Sequence, residues 1–306
     1  MRRRIPSISL ASPVKSVLLI LSGCNFNCRG CITIARKPLG RELSVEETVE
    51  LVLKASEYVW NSLPEKVMIG GGEPTLSPRY LVKLIRLLKR ASIDNIQIKT
   101  NGYLLNSCMI KELKQSGLSS LVVDIKAFTD KNHKWYTGKS NKRILKAIKL
   151  LNNHNLNFSV RMILIPGIVD IDEIRRMCIF LSHIDRAIPF KIYGFSPEHA
   201  REKISHRPSR IELLRAYREA KLYLDNVRVG SDPETFTFEY IEFRDDDLLE
   251  RYAKIDEISR LLNRNWNIRG VPMSRILPLK GEDREDDILS PAYIKRRGFK
   301  RVKKYY

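Results

Sequence analysis

The chain has 306 residues, 43% hydrophobic and 29% charged, with 55 basic and 35 acidic side chains and a formal net charge of +20. This composition buries a large core and reads as soluble and globular; no run approaches the roughly 20 apolar residues of a membrane span. The charge points to an anionic partner such as nucleic acid or an acidic protein, or else to an organism whose proteins are generally basic. The excess is partly local: Arg2, Arg3 and Arg4 open the chain, and seven of the last twelve residues, KRRGFKRVKKYY, are basic.

In chain order, residues 1–13 read as a basic segment ahead of the core. A short apolar run, a loop and an amphipathic helix then recur six times. The predicted strands are 16–22, 66–70, 95–100, 120–126, 157–165 and 189–194, with a last short run at 226–230. The first helix starts at Ser44, where Ser44-Val45-Glu46-Glu47 is a capping box, and ends near Leu63-Pro64. The second opens with Ser77 as cap and Pro78 at its first position. Further helices are predicted near 106–115, 141–152, 171–182 and 209–223. Strands alternating with helices imply a parallel sheet with right-handed crossovers, and place the chemistry at the strands' carboxyl ends. The core spans 14–232. Beyond it the alternation breaks, leaving an extension over 233–306 with a helical stretch near 246–263 and the basic tail.

Five cysteines, three of them clustered, argue against a disulfide framework and for a reducing, cytoplasmic compartment. Cys108 and Cys178 fall in helical patterns and read as small buried apolar residues. The cluster is Cys24, Cys28 and Cys31, a CxxxCxxC spacing behind the run VLLIL. The same stretch has the outline of a bacterial lipoprotein signal, MRRR followed by LSGC. Its apolar core, only Val17 to Leu21, is too short for one and suits a buried strand. Three thiolates on one loop can hold three corners of an iron–sulfur cubane and leave the fourth iron open. A zinc site wants a fourth ligand, and the histidines are scattered at 133, 154, 183, 199 and 206. At the end of the second strand, Gly70-Gly71-Gly72-Glu73-Pro74 offers exposed backbone to a ligand.

On this pair of motifs the chain resembles the radical S-adenosylmethionine enzymes over about residues 14–232. The resemblance implies a partial (β/α)6, TIM-like barrel with a C-terminal extension. It implies one [4Fe-4S] cluster with Cys24, Cys28 and Cys31 as ligands, and S-adenosylmethionine chelated to the open iron. One electron would cleave the sulfur–C5′ bond, and the resulting 5′-deoxyadenosyl radical would abstract a hydrogen atom, with no side chain assigned as catalyst. Within that family the chain is most similar to activating enzymes of glycyl-radical proteins. The segments that carry this are Thr100-Asn101-Gly102, Asp124-Ile125-Lys126, His133, Thr137-Gly138, Arg161 with Pro166-Gly167, and Phe190-Lys191-Ile192-Tyr193-Gly194. By resemblance, the cofactor contacts are Gly71, Gly72, Glu73, Pro74, Thr100, Asn101, Asp124, Lys126, Arg161 and Lys191. Asp124 would accept from the methionine ammonium and Lys126 would pair with its carboxylate. Residues two apart on a strand share a face, which suits a zwitterion.

Four departures stand out. Gly30 replaces an aromatic that packs near adenine, so adenine needs another platform. Lys99 replaces an aspartate that helps to hold a monovalent cation, so the ammonium takes that charge position. Lys191 replaces a histidine. Residues 5–16 lack the glycine-rich stretch that activating enzymes carry there. The expected electron donor is a small flavodoxin- or ferredoxin-type protein. The substrate is expected to be macromolecular: a polypeptide or, in the alternative, tRNA or rRNA drawn by the basic termini with Tyr293, Phe299, Tyr305 and Tyr306. A non-enzymatic nucleic-acid-binding protein bearing zinc or a cluster is the remaining alternative.

Overall fold

A computed structural model of the chain describes residues 1–12, 14–230, 238–245 and 266–277. Strand β1 (Arg2–Ile5) is followed by β2 (Ser7–Ser12), β3 (Ser16–Leu21) and β4 (Arg41–Ser44). Helix α1 (Val45–Trp60), β5 (Lys66–Gly71) and α2 (Pro78–Arg90) come next. The chain continues through β6 (Asn95–Thr100), α3 (Ser107–Gln115), β7 (Ser120–Asp124), α4 (Asp130–Thr137) and α5 (Lys142–Asn153). The core closes with β8 (Phe158–Leu164), α6 (Ile171–Ser182), β9 (Phe190–Gly194), α7 (Arg210–Lys221) and β10 (Val227–Val229). Two further strands, β11 (Phe238–Arg244) and β12 (Trp266–Pro272), belong to the extension.

Ten strands form one sheet in the order β10-β9-β8-β7-β6-β5-β3-β2-β11-β12. From β3 to β10 every pairing is parallel. Six strand–helix repeats thus build the partial α/β barrel, and no pairing among the described residues closes it. Side chains alternate as a pleated strand requires. Val17, Leu19, Val67, Ile69, Ile96 and Ile98 have no exposed surface and lie in the helix-covered core. On the opposite face Leu18, Met68, Gln97 and Lys99 stay partly exposed.

The predicted strands and helices match these elements closely where local signals set the ends. Ser44 caps α1 by accepting from the Glu47 amide at 3.1 Å, and Glu47 returns the bond to the Ser44 amide at 2.6 Å. Ser77 precedes α2 but makes no side-chain cap bond; its hydroxyl instead accepts from Arg3 at 2.6 Å.

The N-terminal segment, read above as basic, is folded into two sheets: β2 joins the ten-stranded sheet and β1 forms a two-stranded sheet with β4. β2 runs antiparallel between β3 and β11, and β1 pairs antiparallel with β4. Arg2 and Arg4 pair with Glu47 and Glu42. Arg3 is 8% exposed and donates to the carbonyls of Ser22 and Glu73, both at 2.9 Å. The extension also contributes to the sheet, since β11 and β12 lie parallel to each other beside β2. The helical stretch expected near 246–263 and the basic tail lie outside the described residues. Cys178 is buried as expected, but Cys108 is exposed on α3.

Arg3 ties β1 to the ends of β3 and β5 with charge-assisted bonds. Arg3→Ala removes the charge-assisted donor from the Ser22 and Glu73 carbonyls and leaves Glu73 only a long bond from the Leu76 amide at 3.4 Å, which should cost about 2–3 kcal/mol, seen as a lower thermal midpoint by circular dichroism. An unchanged midpoint would mean that water replaces the guanidinium without loss.

Candidate functional site

The three cysteines lie on the loop that leaves β3, and other elements clamp its backbone. The Asn27 and Arg29 amides donate to Thr137 and Tyr136 carbonyls at the end of α4, at 3.0 and 2.9 Å. The Cys31 and Arg29 carbonyls accept from the Arg201 and Glu202 amides, both at 2.9 Å. Phe26 is buried between Tyr103 and His133, edge-on to each, with centroids 5.5 and 5.6 Å away. Helix α4 was not predicted. It is short and polar, and its signals are Asp130 in its first turn and Gly138 at φ +78° past its end.

Cys28 is buried and Cys24 and Cys31 are partly exposed. Burial pushes the Cys28 thiol up to about 12 and raises that of Cys24, so a metal is what would hold them as thiolates at neutral pH. Among the described residues, no three His, Cys, Asp or Glu side chains converge tightly enough to hold a metal ion. Three cysteine thiols on one loop are a donor set that an iron–sulfur cluster takes, each thiolate on its own iron.

The glycine run closes against the cysteine loop. Gly71 adopts φ +98°, and a methyl there would meet Ile20 at 2.6 Å. A methyl at Gly72 would overlap the Gly23 carbonyl oxygen. These glycines make room for the chain's own backbone, where the sequence had suggested room for a ligand. Glu73 is 1% exposed, and its carboxylate faces inward. It accepts from the Thr75 amide and hydroxyl at 3.0 and 2.6 Å, from the Thr100 hydroxyl at 2.6 Å and from the Asn101 amide at 2.7 Å. Its own amide donates to Gly23, and its carbonyl accepts from Arg3. Glu73, expected above as a cofactor contact, braces the site with every polar group engaged in the fold. Pro74, buried beside it, starts a short 3₁₀ turn. Asn101 reaches the loop: its amide nitrogen donates to Asn25 at 2.7 Å and lies 3.9 Å from the Cys24 sulfur.

Asp124, Arg161 and Lys191 are in register across β7, β8 and β9. Lys126 donates to Asp124 Oδ1 at 2.7 Å, and Arg161 pairs with Oδ2. Burial works to raise the Asp124 carboxyl, but Arg161 and Lys126 outweigh it and hold it at about 2. Lys126 also lies close enough to Cys28 for each charge to act on the other. One anion and its cations thus stand beside the cysteine loop. The ammonium of Lys191 sits 4.8 Å from the centroid of the Tyr193 ring, and the Arg161 guanidinium lies 5.2 Å from it.

Gly30 finds its explanation here. A methyl at that position would meet the rings of Phe195 and Tyr136, both at 2.7 Å. Both aromatics are buried. They fill the space that a side chain at 30 would take, a pairing of distant segments that no local pattern announces.

These observations carry the identification. The model of the Radical SAM superfamily matches residues 18–181, more than half of the chain. The chain is 34% identical over 230 residues to a Methanocaldococcus jannaschii protein provisionally named as a glycyl-radical enzyme activating enzyme, covering 74% of this chain and 84% of that one. It is 27% identical to the pyruvate formate-lyase-activating enzyme of Clostridium pasteurianum, over 55% of this chain and 69% of that one. In fold it is similar to Streptococcus suis SuiB bound to precursor peptide SuiA, with TM-score 0.58 at 16% identity, covering 90% of this chain and 64% of that one. The chain belongs to the radical SAM superfamily. It is an enzyme of the radical SAM class, whose members use an iron–sulfur cluster and S-adenosylmethionine.

Two substitutions check this geometry. Gly72→Ala should separate the glycine run from the cysteine loop, costing about 1–3 kcal/mol and lowering the iron bound per chain after reconstitution. The second concerns Lys99, whose ammonium is held down to about 8 by burial first, then by Arg161, Lys66 and Lys191, against Asp124. A lysine depressed in the fold costs stability while it is charged, and that cost lifts between about 8 and its ordinary 10.5. Lys99→Met should therefore melt higher than wild type at pH 7, with the gap narrowing toward pH 10. A gap independent of pH would refute the assignment.

Proposed function

We propose that the chain holds one [4Fe-4S] cluster on Cys24, Cys28 and Cys31 and abstracts a hydrogen atom from a polypeptide, as an activating enzyme for a glycyl-radical protein does. The observation that carries this reading is the meeting of the cysteine loop with Asp124, Lys126 and Arg161 at adjacent strand ends. The names of the relatives point the same way. When bound, the cluster and S-adenosylmethionine supply one-electron cleavage of a sulfur–carbon bond and a radical able to take hydrogen.

The chain's residues prepare for a zwitterion. Asp124 is ionised at neutral pH and can accept from the methionine ammonium. Lys126 and Arg161, which now satisfy Asp124, can turn one donor each toward the carboxylate. Binding then exchanges one set of ion pairs for another, so no charge is left unpaired in the buried site. Phe26, Tyr136 and Phe195 pack around the loop and keep water from it. Outside the loop, Arg29, Lys134 and Arg201 line a surface depression with Trp135 and Glu202, the two arginines sharing Glu202 and Lys134 pairing with Asp130. The cations there outnumber the acids by one, which suits a small acidic electron donor of the flavodoxin or ferredoxin type.

The alternative reading, an enzyme acting on RNA, rests on the basic termini. Arg2, Arg3 and Arg4 are engaged within the fold, which removes the N-terminal half of that support.

The test is anaerobic reconstitution with iron and sulfide, reduction, addition of S-adenosylmethionine and chromatography for 5′-deoxyadenosine. Wild type should form it, and Cys28→Ala should form none. Asp124→Asn should keep the cluster and bind the cofactor about tenfold or more weakly. A wild type that takes up zinc and builds no cluster would end this reading.

A further inference from the structure

The concave face of the sheet carries more positive charge than the site above uses. Leu18, Met68, Gln97, Val122 and Ser159 point to this face and all remain partly exposed, so the described residues line it without filling it. By strand alternation and register, Lys66 and Lys99 share that face with Arg161 and Lys191. Across the six strands β3 and β5 to β9, Asp124 is the one acidic residue. Both its oxygens are already taken, by Lys126 and Arg161.

Lys66 and Lys99 have no hydrogen bond or ion pair among the described residues. Each is partly buried, and the charges of Lys66, Arg161 and Lys191 all act on Lys99. Like charges held together out of bulk water work against folding. The cofactor does not relieve them. S-adenosylmethionine carries a sulfonium, an ammonium and one carboxylate, a net positive charge, so it brings no anion to Lys66 and Lys99. Among the described residues no carboxylate pairs with either lysine, and an anionic ligand would supply the missing charge.

We infer that this cleft is an oxyanion subsite for the substrate, anchored by Lys66 and Lys99 with Lys191 beside them. The substrate therefore carries a carboxylate or phosphate that reaches below the strand ends, past Lys99 toward Lys66 at the start of β5. On the activating-enzyme reading, this is an acidic or phosphorylated side chain near the target residue. The cations sit inside one concave face and not along an outer stripe, which favours a single inserted anionic group over the backbone of a nucleic acid.

The test uses the full chain with its cluster reconstituted, at low salt and neutral pH. It is titrated calorimetrically with pyrophosphate and, separately, with citrate, and its thermal midpoint is followed in parallel. At least one of the two anions should bind and raise the midpoint. Lys66→Met and Lys99→Met should each weaken that binding about tenfold, and Lys99→Arg should retain it. Lys111→Met, an exposed lysine on α3, should change it less than about twofold, as expected for a screened surface charge. Preference for citrate marks a carboxylate-bearing substrate, and preference for pyrophosphate a phosphorylated one. The inference fails if neither anion binds at millimolar concentration, or if the Lys66 and Lys99 variants bind as wild type does. Formation of 5′-deoxyadenosine, assayed on the same wild-type preparation, tests the enzyme reading separately. Cofactor cleavage without anion binding would overturn the subsite alone.

Discussion

A carboxylate sealed from water holds this site together. Glu73 accepts four hydrogen bonds, two from Thr75 in its own turn and two from Thr100 and Asn101 at the end of β6. Burial alone would drive it toward the neutral acid, and the bonds from Thr100, Thr75 and Asn101 work against that. A buried acceptor with this many donors fixes its surroundings, because moving any donor strands a charge. The ends of β5 and β6 are thereby locked to each other. Asn101 then stands where its amide meets Asn25 and the Cys24 sulfur. Arg3 completes the lock from the opposite side. Its guanidinium gathers the carbonyls of Ser22 and Glu73 and the hydroxyl before α2. The cysteine loop departs from this fixed point, so its position follows from the brace.

The same constraint explains the glycines. With the brace set, the backbone at 23 presses on the backbone at 72, and only a hydrogen at Gly72 leaves room. At Gly30 the pressure comes from rings, Tyr136 on α4 and Phe195 after β9. A side chain at 30 and these two aromatics are alternatives for one space, and this chain has chosen the aromatics. Loss of an aromatic from the loop is therefore matched by packing supplied from two other segments. The space beside Gly30 stays filled.

What the sequence disclosed and what it hid divide along physical lines. Helix starts were clear at Ser44 and Ser209, where a capping box is written within four residues. Strands β5 and β6 were clear because their alternation is complete within six residues. The cysteine, glycine and aspartate–lysine motifs were clear because each is local and each closes a strand. The hidden parts depend on partners far along the chain. β1 and β2 were read as a charged segment because three arginines dominate it, and nothing nearby says that Arg3 is buried against residues 22 and 73. β11 and β12 follow a break in the strand–helix alternation, and the pairing of β11 to β2 joins opposite ends of the sequence. Helix α4 is polar enough to pass for a loop, yet its last turn clamps the cysteines.

The cations of the barrel fall into two groups, and the contrast between them is the most informative electrostatic feature of the fold. Lys126 and Arg161 are paired with Asp124, and that carboxyl is held at about 2 despite its burial. Such a group stabilises the empty protein and must be prised apart by any ligand that replaces its partners. Lys66 and Lys99 have no ion pair among the described residues, and their burial opposes the charged form. A group of this second kind costs the empty protein stability, and an incoming anion would relieve it. The first arrangement sets a threshold that a weak or mismatched ligand does not cross. The second creates an attraction that a negatively charged ligand completes. On the proposed reading, paired and unpaired charge on one face of the sheet would divide the work between a zwitterion at the strand ends and an anion beneath it. Sites that accept such a loss of stability are the ones where function has set the residues.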